Sequence, residues 1–544
     1  MAEHGPTRLT VLGDLIGLGV LVGVLLLPAR LTRTDLGSFA AVPVELVLGG
    51  ALLLILPARA RRPTAAVLGL ALGALTVLKI VDVGFYGALA RPFDLVLDWT
   101  LLPGAWELLD SSLGGTVAAL VVAAAGLVVL AVLAATTWAS LRLTRLLDAH
   151  PGAAVPALAI LTAVWITCAT TGVRAVPPFP VASTSSTSKV IGEIEAVREG
   201  LVDRDRFAAE LAQDRFQTVA ADRLLTGLRG KQVLVVFVES YGRVALTDPD
   251  IAPAVTTVLD DGTRRLGAAG WQSRSGFLTS PTAGGGSWLA HSTLLSGLWI
   301  DSQQRYRNLV ASDRLTLTRA FGGAGWRTIA VMPGNTSAWP DGKVYHYDEI
   351  HDSRSLGYAG PSYGWARVPD QYTLAETDRL MTDGPDDRTT MAVVPLITSH
   401  APWTPVPGLV DPTAVGDGST LTPAGGSAEP PEAILTRDPE RVRADYRESV
   451  VYTLTSVIRQ LEQTPAEDLV VIMVGDHQPA PVVTGPDAGR DVPVTVLAGD
   501  PGVIDRIRDW GWSPGLRPAA DAPVWRMDAV RDRILTDFAQ ELPR

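Results

Sequence analysis

Cysteine is nearly absent: a single residue, Cys168, serves all 544 positions and lies inside an apolar run. No intrachain disulfide can form, so any exported part of the chain must be held by its core alone, and roughly 300 residues are ample for that. Basic stripes are also missing. The formal charge is −11 and no basic stripe stands out to neutralise phosphates, which argues against a nucleic-acid partner. No internal repeat is evident, and histidine is scarce, with seven residues in all.

Apolar residues are abundant but concentrated in the first third. Runs long enough to cross a bilayer occur at about 10–30, 41–58, 65–90, 117–140 and 153–175, and the second is the weakest because it is short and carries Glu45. Five spaced runs are not a cleaved signal peptide. The basic loops, "RARR" at 59–62 and the one with Arg142 and Arg145, belong in the cytoplasm. The acidic loop from 91 to 116 (Asp94, Asp98, Glu107 and Asp110 against Arg91) suits the outside, and the loop with Arg30 and Arg33 is ambiguous. The expectation is a multi-pass cell-membrane protein with everything after about 176 extracytoplasmic. Lys79 and Asp82 stand three residues apart in the third span, where an inter-helix ion pair or an outward-reaching lysine is expected.

Residues 177–190 are rich in Pro, Ser and Thr and read as a linker, and 191–229 as a helical neck. Beyond 231, apolar strands are expected at 232–239, 327–332, 390–397, 468–474 and 493–498. Helices are expected near 288–297, 315–323, 442–463 and 524–541, with a long surface loop over 405–440. This alternation predicts an α/β domain with a largely parallel central sheet. The chain therefore divides into a membrane domain of five helices (1–176), a linker and neck (177–230), and an extracytoplasmic α/β domain (231–544).

In open α/β sheets, ligands bind beyond the carboxyl ends of the strands. "VLVVFVES" ends in Glu239, "MAVVPLITSH" in His400, and "LVVIMVGDH" in Asp476 and His477. Three strands thus send carboxylates and imidazoles to one edge, as a metal site or a hydrolytic site requires. In "SPTAGGGSWLAHSTLLSG" three glycines precede Ser287 at the start of a helix, where an anion such as phosphate would bind. The plainer reading of Ser287 is a helix cap.

In order and type, these motifs resemble the alkaline phosphatase/sulfatase superfamily. Within it they resemble the membrane-anchored lipoteichoic acid synthase (phosphoglycerol/phosphoethanolamine transferase) branch, which also has five spans and an extracellular catalytic domain. The resemblance implies an alkaline phosphatase-like fold, with Glu239, Asp476 and His477 as metal ligands. Ser287 stands where the family usually has a nucleophilic threonine that also contacts the metal. It implies that His400 contacts the substrate phosphate or leaving oxygen, and that Trp339 lines the substrate pocket. The family's arginine shortly after that tryptophan is replaced by Pro340, Asp341 and Gly342, and Lys343 is the nearest cation. The Cys-x-Pro-x-Arg segment that sulfatases convert to formylglycine is absent.

His4 and His150 are expected in the cytoplasm, and His291, His346, His351, His400 and His477 outside. His346 and His351 read as surface-loop residues rather than a second metal site, so one divalent ion is expected. Its oxygen-rich ligand set favours Mn²⁺, with Mg²⁺ or Zn²⁺ also compatible. The implied function moves a phospho-alcohol group, phosphoglycerol-like, from a membrane phospholipid donor to a cell-envelope glycan or lipid acceptor through phospho-Ser287. The alternatives are an exported phosphodiesterase, phosphatase or sulfatase-type hydrolase, and a non-catalytic envelope-binding membrane protein.

Overall fold

The computed structural model describes residues 8–28, 39, 41–89, 91–176, 179–363, 367–401, 403, 406–422, 437–485 and 488–540. His4, Arg30, Arg33 and much of the expected 405–440 loop lie outside the described residues. The chain divides into two compact units. One comprises Met1–Tyr86, Arg91–Thr100 and Gly115–Leu201, and the other Gly87–Ala90, Leu101–Gly114 and Val202–Arg544.

In the membrane unit, α1 (Arg8–Leu26), α3 (Ala58–Leu89), α4 (Gly115–Ala149) and α5 (Pro151–Thr171) are long and apolar enough to cross a bilayer. The second expected span is shorter than its apolar run. Helix α2 (Val44–Ile55) has 12 residues, about 18 Å of rise against a hydrocarbon core of about 30 Å. Prolines set both limits: Pro43 is its N-cap, and Leu56 turns extended ahead of Pro57. The "RARR" stretch is therefore the first turn and a half of α3 rather than a loop.

Lys79 and Asp82 are both buried but do not pair with each other. Lys79 Nζ donates to the Leu25 carbonyl at 3.1 Å and to Ser186 Oγ at 2.8 Å. Asp82 accepts from the Phe93 amide at 3.0 Å and pairs with Lys189. The expected 177–190 linker is largely ordered structure. Phe179–Pro180 pairs with Arg174–Val176, Ala182–Ser183 pairs with Val42–Pro43, and α6 runs from Ser185 to Ala212. Its Ser/Thr run sits at a helix start, where short hydroxyl side chains are favoured.

The second unit is built on a nine-stranded sheet. Its strands are β1 (Gln232–Val238), β2 (Gln272–Thr279), β3 (Arg327–Met332), β4 (Glu349–Asp352), β5 (Thr390–Leu396), β6 (Leu469–Gly475), β7 (Asp491–Ala498), β8 (Ser513–Pro514) and β9 (Val524–Arg526). The order is β8-β2-β7-β6-β1-β5-β3-β4, with β9 also on β2. The β6-β1-β5-β3-β4 half is parallel; β7 pairs antiparallel with β6, and β2 antiparallel with β7. Polar residues in the first half of "QSRSGFLT" hid β2 from the sequence pattern. The expected 524–541 helix begins only at Ala529, because Val524-Trp525-Arg526 adds to the sheet.

The central strands read as unbroken apolar runs because both faces are covered. On β1, Val233, Val235 and Phe237 enter one core cluster, and Leu234, Val236 and Val238 the other. The helices used below are α7 (Ala252–Ala268), α8 (Ser287–Ser296), α9 (Asp370–Thr382) and α10 (Pro439–Gln463). Within the expected loop, Val415 and Leu421 are buried in the second cluster.

Candidate metal and nucleophile site

Parallel register assembles the site. Gly475 of β6 lies opposite Val238 of β1, and Val238 opposite Leu396 of β5. The next residues of all three strands, Glu239, Asp476 and Ile397, therefore emerge at one sheet edge, as expected at a strand carboxyl terminus. Only glycine fits at 475, since a Cβ there would stand 1.9 Å from the Tyr241 carbonyl oxygen. Ser240 holds a left-handed φ of 55°, an uncommon conformation for a residue with a side chain. It is pinned by its amide to Asp476 Oδ1 at 2.8 Å and by its hydroxyl to Glu239 Oε1 at 2.9 Å.

The glycine run delivers the nucleophile candidate. The Gly284 amide donates to the Gln478 carbonyl at 2.8 Å, which ties the loop to the residues just after His477. Gly286, at φ 81°, is the cap residue of α8, so Ser287 is the first helical residue and not the cap. Its Oγ donates to Glu239 Oε2 at 2.9 Å and lies 3.2 Å from His477 Nε2.

Glu239, Asp476 and His477 are all buried and present ligand atoms within 4.8 Å of one another, the one such group among the described residues. His477 Nδ1 donates to the Gln478 carbonyl at 2.8 Å, which orients the ring and leaves Nε2 facing Glu239 Oε1, 3.2 Å away. Asp476 Oδ1 accepts from two backbone amides, whereas its buried Oδ2 has no hydrogen-bond partner. An unpaired buried carboxylate oxygen is costly.

The electrostatics point the same way. Burial, and then the charge of Glu239, push Asp476 up to about 8. Burial works downward on His477, but Asp476 and Glu239 outweigh it and hold the imidazole at about 9. Burial would raise Glu239, but His400 and His477 keep it well below the usual carboxylate range. Left alone, the cluster must take up protons to balance its negative charge. A divalent cation would supply that charge instead and use the orphaned oxygen. Oxygen-rich donors with one imidazole suit Mn²⁺, Mg²⁺ or Zn²⁺, so the residues fit such an ion.

The site opens into a cleft of about 260 Å³. His400 lines it, with Nδ1 donating to the Ala401 carbonyl, so the proton it can give or take sits at Nε2. Its turn is anchored by the Ser399 hydroxyl on the Glu239 carbonyl at 2.6 Å. Trp339 also lines the cleft, continuing into Tyr345 and Tyr347 with ring centroids 5.6 and 6.5 Å away. Lys343 is exposed and is not among the lining residues. His346 is exposed, and His351 faces Glu349 on β4 at 3.1 Å.

Sequence reasoning missed His291, one helical turn beyond Ser287. It lies 3.8 Å from Asp476 Oδ2, rests on the Phe237 ring, and is pushed down to about 4 by burial. Its i+4 spacing from Ser287 was the available signal.

No protein-family model and no curated protein matches the chain. Solved structures with a similar chain trace include the lipoteichoic acid synthase LtaP from Listeria monocytogenes, at 12% identity over 57% of this chain and 72% of that one, TM-score 0.38. The C-terminal periplasmic domain of EcEptC from Escherichia coli is similar at 12% identity over 57% and 82%, TM-score 0.36. The phosphoglycerol transferase GacH of Streptococcus pyogenes, solved with sn-glycerol-1-phosphate, is similar at 12% identity over 63% of this chain and 91% of that one, TM-score 0.35. At these levels the likeness is one of chain trace, and the reading of function below stands on the site itself.

Proposed function

We propose that this chain is a membrane-anchored, metal-dependent phosphotransferase that moves a phospho-alcohol group from a membrane phospholipid to a cell-envelope acceptor. Its catalytic unit is extracytoplasmic in this reading. The observation that carries it is the placement of Ser287 Oγ. The hydroxyl is the first side chain of a helix, 2.9 Å from Glu239 Oε2 and 3.2 Å from His477 Nε2, beside a cleft walled by aromatic rings.

Glu239, Asp476, His477 and Ser287 Oγ would hold the divalent ion, which when bound supplies Lewis-acid stabilisation of anionic oxygens. In the first half-reaction Ser287 Oγ bonds to phosphorus, and the bond from phosphorus to the diglyceride oxygen breaks. The hydrogen bond to Glu239 Oε2 orients the serine hydroxyl for attack, and its proton is given up to solvent. The departing oxygen takes a proton from His400 Nε2 in its imidazolium form. The start of α8 offers its positive end to the phosphoryl oxygens. In the second half-reaction an acceptor alcohol gives its proton to His400 and attacks phosphorus. Ser287 Oγ then leaves and takes up a proton from solvent. Trp339, Tyr347 and Asn335, all lining the cleft, would meet the alcohol part of the group.

The test is incubation of the full-length protein with labelled phosphatidylglycerol and, separately, phosphatidylethanolamine. Diacylglycerol release from one lipid names the donor, and the fate of the label separates an alcohol acceptor from water. Ser287→Ala should stop release while leaving the fold intact; robust release by that variant overturns the proposal.

A further inference from the structure

The membrane unit contains a cavity that the proposed reaction does not use. Helices α1, α2, α3 and α4 and the first turns of α6 surround a groove of about 390 Å³, within the range of small-molecule sites. Its walls are mostly apolar, with leucines from Leu21 on α1 to Leu143 on α4, and its polar groups include Glu45 on α2 and Ser186 and Thr187 on α6.

The bonding at that polar end is asymmetric. Glu45 Oε1 accepts from the Thr187 amide at 2.7 Å and from its hydroxyl at 2.8 Å. Glu45 Oε2 is buried with no hydrogen-bond partner. The nearby cation is already engaged: Lys79 Nζ donates to the Leu25 carbonyl and to the hydroxyls of Ser185 and Ser186. Ser186 in turn donates to the Leu25 carbonyl at 3.1 Å. What this end offers a ligand is therefore an acceptor, with its neighbouring donors committed. A phosphate would meet a carboxylate with no uncommitted cation beside it, whereas a hydroxyl would satisfy the orphaned oxygen.

We propose that this groove binds one neutral lipid with a free hydroxyl, a diacylglycerol. An acyl chain lies along the apolar walls, and the hydroxyl donates to Glu45 Oε2. The choice of diacylglycerol rests on the proposed reaction, in which it is the leaving lipid, but its binding needs no turnover.

The experiment uses full-length Ser287→Ala protein in detergent and a diacylglycerol bearing a photoactivatable group on one acyl chain. Labelling is mapped by mass spectrometry to residues 44–55 and 186–191. The expected result is about tenfold stronger labelling of these peptides than with the same probe acetylated on its hydroxyl, or with a phosphatidylglycerol probe, as for the gain of one hydrogen bond. Gly49 lines the groove with nothing within 4 Å of a built Cβ, so Gly49→Phe fills it without a backbone clash. That variant should lose the labelling while its melting temperature stays near that of the parent, and Leu53→Trp serves as a second filler. Glu45→Gln, which replaces the orphaned acceptor by a donor, should abolish the preference for the free hydroxyl. Equal labelling by the acetylated probe, or undiminished labelling in both folded fillers, overturns the proposal. Diacylglycerol release by Ser287→Ala would instead count against the phosphotransferase reading.

Discussion

In the membrane unit the buried ammonium of Lys79 ends against a carbonyl and two serine hydroxyls, and every donor it has is used. In the sheet unit the buried Asp476 has one oxygen bonded to two amides and the other to nothing, inside a cluster that also holds Glu239 and His477. Burial alone does not distinguish a structural charge from a functional one. The distinction lies in whether the surrounding chain completes its hydrogen bonds. Asp370 makes the same point within the sheet unit. Its carboxylate accepts from the Ile397 and Thr398 amides at 2.7 and 3.0 Å and from the Thr453 hydroxyl at 2.5 Å, and so holds the turn that leads to His400.

The most forceful attempt to break this comparison is Ser287→Ala, for which turnover should fall on the order of 10³-fold or more, with unchanged circular dichroism. Asp476→Asn sharpens it further. Activity should vanish with the metal, yet at neutral pH the metal-free variant should melt higher than metal-free native protein, because it is spared the proton uptake that burial imposes on Asp476. A lower melting point for that variant would class Asp476 with Lys79 as structural. His400→Gln should lower turnover by about 10²–10⁴-fold, the usual range for a positioned proton carrier, and leave metal content untouched.

Asp370 supplies a pH test. Burial pushes it up to about 6, so between about pH 4 and 6 the folded state binds a proton that the unfolded state has released. Stability from this group is therefore full below about pH 4, declines as pH rises to 6, and is level beyond. Asp370→Asn removes the titration and keeps the shape. It should exceed native stability by about 3 kcal/mol above pH 6 and match it below about pH 4 in urea unfolding. A difference independent of pH would contradict the assignment. The smallest effects are expected on the cleft wall. Trp339→Ala should raise KM about tenfold, while Lys343→Ala, being exposed, should leave kcat/KM within about twofold.

Much of this arrangement could be read before any coordinates, and for identifiable reasons. Runs such as "VLVVFVES" and "LVVIMVGDH" are buried on both faces, so a charged residue at their ends stands out, and parallel register brings those ends together. Ser287 stood out through the three glycines before it. Other features lacked a local signal. Tyr345 and Tyr347 reach the cleft through the packing of elements distant in sequence. The buried role of Asp370 depends on Thr453 of α10, 83 residues away. The apolar run around α2 suggested a full span until Pro43 and Pro57 limited it to 12 residues. Lys79 and Asp82 share a helix face but found partners on other segments, Ser186 and Lys189.

The central claim, that Glu239, Asp476 and His477 beside Ser287 form a cation site, is tested most directly by metal content. Full-length native protein and the Asp476→Asn variant would be dialysed against Mn²⁺, freed of excess ion and assayed by mass spectrometry of the elements. The account predicts about one Mn²⁺ per native chain and almost none in the variant. Equal content in the two, or no ion in the native chain under conditions where it turns over, would contradict it.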